Sequence, residues 1–190
     1  MRISTLFASL TLLTAAPAFA TTYTIDPAHS AATFTIKHLA VSTVRGEFGK
    51  LSGTVELDRT NLRASKVEAT IDATTVSTRE PKRDAHLKSP DFFDVAKFPT
   101  LSFKSTKVEP TSGGRLKLTG DLTIHGVTKS VTFDVDPLSA DTKSPFGSTV
   151  VGTSATTHLN RRDFGVNGGA AGAIVGDDVA VTLDLELVKK

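Results

Sequence analysis

The stretch Leu116 to Val135, LKLTGDLTIHGVTKSVTFDV, constrains the fold more than any other part of the chain. Leu116, Leu118, Leu122 and Ile124 share one parity, while Lys117, Thr119, Asp121 and Thr123 take the other. A period of two marks a strand with one buried face and one wet face. His125-Gly126 interrupts it, with glycine supplying the positive φ of a tight reversal. Val127, Val131, Phe133 and Val135 then resume one parity, with Lys129 the charged intruder on it. The stretch predicts an antiparallel hairpin whose strands are longer than the usual ~5–6 residues. A sheet that tall can wrap around something.

The rest of the chain repeats the pattern. Tyr23–Ile25, Ala32–His38, Val41–Phe48, Leu51–Leu57, Val67–Ile71, a strand opening at Leu101, Val151–Thr157 and Val179–Leu187 each show one apolar face. One-faced strands belong to antiparallel sheets, not to doubly covered parallel ones. Periodicity is lost from Thr78 to Pro99, where Thr78 reads as the cap of a short helix with Pro81 in its first turn. Phe92, Phe93 and Phe98 lie in this segment and need a place to go. The candidates are a lid that seals one end of the core and a flap over a ligand entrance. Gly168 to Gly172 reads as a flexible loop of small residues. Together the elements predict an all-β fold: about eight antiparallel strands, a sandwich or a closed barrel, with a short helical insertion. Long strands in sequential hairpins favour the barrel.

Residues 1–20 have the layout of a secretory leader: one arginine, an apolar run, and Ala18-Phe19-Ala20 as a small-x-small cleavage site. The run is shorter than the ~20 apolar residues of a membrane span, and no integral membrane segment is expected. The predicted organisation is a leader at 1–20 and one domain at 21–190, with export to the periplasm for a Gram-negative host. Cleavage leaves 21 basic against 20 acidic side chains. That balance argues against nucleic acid, which needs a concentrated basic face. No cysteine is present, which removes disulfides, thiolate metal sites and cysteine nucleophiles together. Neither a cofactor nor a metal is expected.

A barrel of about eight strands either fills its interior or holds one small ligand. Parity selects Phe34, Ile36, Val55, Leu57, Ile71, Leu101, Phe103, Leu118, Leu122, Phe133, Val181 and Leu183 as inward-facing. Among them stand Gly53, Gly120, Ala32, Ala69 and Ala155, small residues read as leaving room for a cavity. The segment carrying Phe92, Phe93 and Phe98 would cover one end of it, its rings touching the ligand. His38, Arg45 and Arg161 are the candidate donors to a head group at a barrel rim. The ordinary alternative for His38 is a ring satisfied by a backbone partner. There is no G-x-S-x-G, H-E-x-x-H or phosphate-binding glycine loop, so no enzymatic activity is expected. The His158, Arg161, Asp163 grouping and the His86, Asp84 pair read as rim salt bridges rather than catalytic sets.

The segments YTIDPAHSAATFTIKHLAVSTVRGEFGKLSG, RDAHLKSPDFFDVAKFPTLSFKS, GDLTIHGVTKSV and LNRRDFGV, in this order, resemble the YceI family of secreted bacterial proteins. The likeness covers essentially all of the chain after the leader. Tyr23, where many relatives carry Trp, is a departure that touches packing only. The resemblance implies an extended lipocalin-like barrel that binds a polyisoprenoid or similar long-chain amphiphile in a lengthwise pore; relatives take different lipids, including isoprenoid quinones and fatty amides. The alternatives are a structural or stress-related protein with a filled barrel, and an enzyme acting on an isoprenoid. Oligomeric state stays open between monomer and homodimer.

Overall fold

The computed structural model describes residues 20–190, so the expected leader lies outside the described residues except for Ala20. Its strands in chain order are β1 (Thr21–Ile25), β2 (Ala31–His38), β3 (Ser42–Phe48), β4 (Leu51–Leu57), β5 (Lys66–Asp72) and β6 (Thr100–Pro110). They continue as β7 (Leu116–Ile124), β8 (Val127–Val135), β9 (Thr142–Lys143), β10 (Thr149–Asn160) and β11 (Val175–Lys189). Eight of them close a ring in the order β11-β1-β4-β5-β6-β7-β8-β10, and β10 pairs back onto β11 from Val150↔Val188 to Asn160↔Asp178. All pairings are antiparallel, so the structure is the eight-stranded barrel that the alternation predicts. The hairpin read first from the sequence pairs from Leu116↔Val135 to Ile124↔Val127. His125 as well as Gly126 has positive φ, 52° and 74°, the geometry of a two-residue turn that follows the strand twist.

The wall is not uniform along its height. β11 pairs with β1 over Leu187 to Lys189 and then with β2 over Val175 to Asp184. At the change of partner the chain bends through Asp26–Ser30, where the Asp26 amide donates to the Glu186 carbonyl at 2.9 Å. The β2–β3 hairpin thus extends the wall upward, but β3 meets the far side through one isolated bridge, Glu47↔Ser77. A second seam opens between β8 and β10, whose pairing is Ala155↔Val135 and Thr156↔Asp134. Lys129 is exposed at that seam, which is how a charged residue sits on the apolar parity of β8. Non-strand segments fill both gaps. Residues 73–99 carry helix α1 (Pro81–Lys88) and a turn holding Phe92 and Phe93 against the first seam. The turn Arg161–Phe164 buries Phe164 near the second.

Helix α1 is capped by Glu80, whose carboxylate accepts from the amides of Lys82 and Arg83. Thr78 instead donates its hydroxyl to Asp84 and accepts from the Arg83 side chain, because Pro81 sets the first turn two residues later than the sequence reading placed it. Residues Gly169–Ala173 form a 3-10 turn rather than an unstructured loop. No helix among the described residues is long and apolar enough to cross a membrane.

Candidate functional site

The inward parity of the strands encloses a cavity of about 630 Å³, within the ~300–1,000 Å³ usual for ligand pockets. Its lining follows β11 from Val175 to Leu187, roughly 40 Å of strand at ~3.3 Å per residue. With a strand tilt of ~35–45° that is about 30 Å along the barrel axis. The twelve residues selected by parity all lie on this lining: Phe34 and Ile36 on β2, Val55 and Leu57 on β4, Ile71 on β5, and Leu101 and Phe103 on β6. Leu118 and Leu122 on β7, Phe133 on β8, and Val181 and Leu183 on β11 complete the set. Phe92 and Phe93 lie on it too, whereas Phe98 packs edge-on against His125 at a centroid distance of 4.8 Å, away from the cavity.

Small residues shape the wall differently from the sequence reading. A Cβ on Gly120 would collide with the Phe103 ring, and one on Gly46 with the Phe34 ring. A Cβ on Gly53 would strike the backbone of Glu68 and Ala69. Glycine therefore does not leave a void at these places. At Gly46 and Gly120 it lets an aromatic ring lie flat across the wall, and at Gly53 it lets two strands approach. Phe34, Phe48 and Phe93 form a ladder with centroid separations of 5.6 and 5.5 Å, linking the wall to the segment beneath α1.

One end of the cavity is shut. Tyr23, Ile25, Leu57, Val151 and Leu187 are buried there, and Leu62 and Leu138 pack against them from the β4–β5 and β8–β9 connections. Thr153 near this end has its hydroxyl committed to the Asp136 carbonyl at 2.9 Å. Polar lining residues gather at the other end: Lys37, His38 and Ser42 from the β2–β3 hairpin, Glu80 from the cap of α1, and Lys82, Arg83 and His86 from α1 itself. This end is the mouth.

Two of the three expected rim donors are corrected. Arg45 faces solvent on β3, opposite in parity to Val44, and is not part of the lining. Arg161 reaches the lining but is 5 % exposed and fully engaged. Its Nε donates to Gly176, one terminal nitrogen to Val166 and Asn167, and the other to Gly172 and Val175, all at 2.7–3.0 Å. Those five carbonyls use all five donors of a guanidinium, and Asp177 sits 2.9 Å away. Burial pulls its pKa below the ordinary arginine value and Asp177 opposes that shift. Arg161 therefore pins the 166–176 segment at the mouth and has no donor left for a head group. His38 does lie at the mouth, half-buried, with no hydrogen-bond partner for its ring among the described residues, so the backbone-satisfied alternative does not hold.

Sequence reasoning missed Ser42, Lys82, Arg83 and Leu87 on the lining. Lysines and arginines on a short helix carry the same signature as any solvated face, so nothing in the pattern singles them out. The His86 ring pairs with Asp91 at 2.8 Å rather than with Asp84, and His158 pairs with Asp178 at 3.0 Å. At the Asp26–Ser30 bend, Asp26, His29 and Glu186 place ligand-type atoms within 4.8 Å of one another. His29 Nδ1 is already 2.8 Å from the Asp26 carboxylate, which lowers the pKa of Asp26 and raises that of His29.

Residues 23–187 match the YceI-like domain family. A UPF0312 protein of Vibrio vulnificus is 38% identical over 170 residues, covering 87% of this chain and 89% of the relative. Another, from Pseudomonas putida, is 37% identical over 178 residues, covering 93% and 88%. Among solved structures, BcnA of Burkholderia cenocepacia superposes with a TM-score of 0.76 at 24% identity, covering 85% of this chain and 98% of that one. The YCEI protein of Campylobacter jejuni gives 0.71 at 30% identity, covering 81% and 90%. A domain from Saccharophagus degradans described as polyisoprenoid-binding gives 0.65 at 16% identity, covering 90% and 99%.

Proposed function

The chain belongs to the YceI-like domain family, and from that premise we propose that it carries a polyisoprenoid or similar long-chain amphiphile. The observation that supports this most is the lengthwise cavity, apolar along its height and polar at one end. Such a shape fits a molecule with a long tail and one polar head. A volume of about 630 Å³ holds roughly twenty groups the size of a water or methylene, at ~30 Å³ each. Micromolar binding needs about 8 kcal/mol beyond an association cost of at least ~4 kcal/mol. At about 0.8 kcal/mol per buried methylene, some fifteen carbons supply that. The cavity exceeds the requirement without any specific polar contact to the tail.

In this reading the tail runs toward Leu138 and Leu187, and the head rests among His38, Ser42, Lys82 and Arg83. The role is carriage rather than catalysis. With residues 1–20 removed as a leader, carriage takes place in the periplasm. Organic extraction of the purified protein followed by mass spectrometry tests the proposal. A co-purifying long-chain lipid supports it; a protein that yields no lipid and takes up no long-chain probe overturns it. Sequencing the N-terminus of the exported form should find Thr21, and an intact Met1 would remove the leader.

A further inference from the structure

Among the described residues the exposed large apolar side chains are Leu39, Val41, Phe146 and Ile174. Three of the four gather at the mouth. Leu39 and Val41 belong to the tip of the β2–β3 hairpin and are 57% and 82% exposed; Ile174, 42% exposed, lies beside them, its carbonyl accepting from the Leu39 amide at 2.8 Å. The tip is the three-residue connection Leu39–Val41 between the paired His38 and Ser42, and within it the Val41 amide donates to the His38 carbonyl at 3.1 Å. Leu39 and Ala40 occupy its first two positions with φ of 51° and 56°. Asn or Gly is the residue suited to such positions, in backbone energy as in solvation. Here the chain presents aliphatic side chains to solvent from a strained turn, next to a pore mouth.

From residue 27 to residue 46 there is no Asp or Glu. The acids nearest the tip, Asp177 and Asp178 in the β11 bulge beside Lys37, are already paired, Asp177 with Arg161 and Arg162 and Asp178 with His158. On β5, β6 and β7 the lysines are paired across the strands or along them: Lys66 with Glu56, Lys104 with Glu68, Lys107 with Glu109 and Lys117 with Asp134. Lys37 and Arg45 on the hairpin, and Lys82 and Arg83 on α1, have no carboxylate in ion-pair range among the described residues. The nearby Glu80 carboxylate is spent on the amides of Lys82 and Arg83.

We propose that the Leu39–Val41 tip, with Ile174 and the unpaired cations Lys37, Arg45, Lys82 and Arg83, docks the mouth onto a bilayer containing anionic lipids. Apolar side chains flanked by lysine and arginine are the composition of an interfacial membrane anchor. A bilayer also requires no shape complementarity. A patch of three apolar side chains falls short of the ~800 Å² per partner that a stable protein interface buries. Docking at this end would join the pore to the phase in which a long-chain lipid dissolves, and to that extent the inference rests on the carriage reading.

Co-flotation with vesicles tests it, using phosphatidylcholine alone and phosphatidylcholine mixed with phosphatidylglycerol. The chain should float with the mixed vesicles, and at least about tenfold more weakly with phosphatidylcholine alone or in high salt. Leu39→Asn with Val41→Thr should weaken flotation about tenfold or more, with the unfolding midpoint undiminished because Asn tolerates positive φ. The proposal fails if the double variant floats like the parent, if the parent does not float, or if the tip instead drives self-association that the variant abolishes. Lipid extraction and long-chain probe uptake, both measured on the purified protein before vesicles are added, keep the two readings apart. A protein that holds lipid or takes up the probe but does not float sinks docking alone, and one that floats but yields no lipid and takes up no probe sinks carriage alone.

Discussion

The two ends of this barrel are built from the same kind of strand and finished in opposite ways. At the closed end Leu62 and Leu138, from the connections that follow β4 and β8, complete a cluster around Tyr23, Val151 and Leu187. At the mouth the ladder splays at two seams, and the gaps are filled by turns and one short helix. Apolar side chains hold the first end, while buried hydrogen bonds hold much of the second, above all those of Arg161. The contrast teaches where each kind of force is used. Where a wall must be tight, burial alone suffices; where it must leave an opening, irregular backbone has to be satisfied by a dedicated donor.

The largest expected effect follows from that donor. Arg161→Met should cost about 3–5 kcal/mol, because a methionine of similar reach leaves five carbonyls without a partner. Denaturant unfolding measures the loss, and hydrogen exchange should place it in 161–176 rather than at the closed end. Uniform loss of protection would break the division between the ends.

Next comes a pair on one strand. Leu187 is buried in the closed cluster and Val181 is half-buried on the cavity. Leu187→Ala should destabilise by about 2–4 kcal/mol, since it opens a void in packed surroundings. Val181→Ala should cost about 1 kcal/mol or less, since it enlarges a space that already exists. Equal costs would mean that the pore is packed like the core.

The strands were legible in the sequence because burial on one face leaves a period of two wherever the wall is regular. Parity alone placed Phe34, Val55, Leu122, Phe133 and Leu183 on the lining. At the mouth, where the wall stops being periodic, it reached His38 at the end of β2 and no further. Arg161 reads as a surface cation until the carbonyls of Val166, Gly172 and Val175 are seen converging on it. Lys82 and Arg83 read as solvated charges until α1 is seen over the pore. Gly120 illustrates a right conclusion reached through the wrong cause: a cavity exists, but this glycine houses the Phe103 ring rather than empty space. Pairings across 80 residues or more, such as Arg59 with Asp141, leave no local trace at all.

The rings beneath α1 sharpen the comparison from the mouth side. Phe92 is buried under the edge of His86, at a centroid distance of 5.0 Å, and belongs with the structural fill. Phe93 is half-buried and stacks edge-on against Phe48 toward the cavity. Phe93→Ala should cost about 1–2 kcal/mol of stability, less than the ~3–5 typical of a buried ring, and weaken binding of a long-chain probe about tenfold. Unchanged probe affinity with a large loss of stability would assign Phe93 to the fill as well.

The smallest effect lies at the joint between the two halves, where β11 changes partner from β1 to β2. The exposed His29–Asp26 clasp closes that bend. The pKa of His29 is raised above 6.5, through the hydrogen bond to Asp26, the charge of Asp26 and that of Glu186. Its contribution is therefore full below 6.5 and lost as pH rises through the raised value. The pKa of Asp26 is lowered below 3.8, first by the hydrogen bond to His29 and next by the one from the Ala28 amide. Its contribution is full above 3.8 and lost as pH falls through the lowered value. The clasp is thus complete between 3.8 and 6.5. His29→Gln should lower Tm slightly at about pH 5 and leave it unchanged at about pH 9, where the parent imidazole is neutral as well. The Ala28 amide still donates to Asp26 at 2.8 Å in that variant, so part of the acid-side dependence should remain. An equal decrement at both pH values would show that the ring acts by packing, and that charge plays no part in joining the closed half to the mouth.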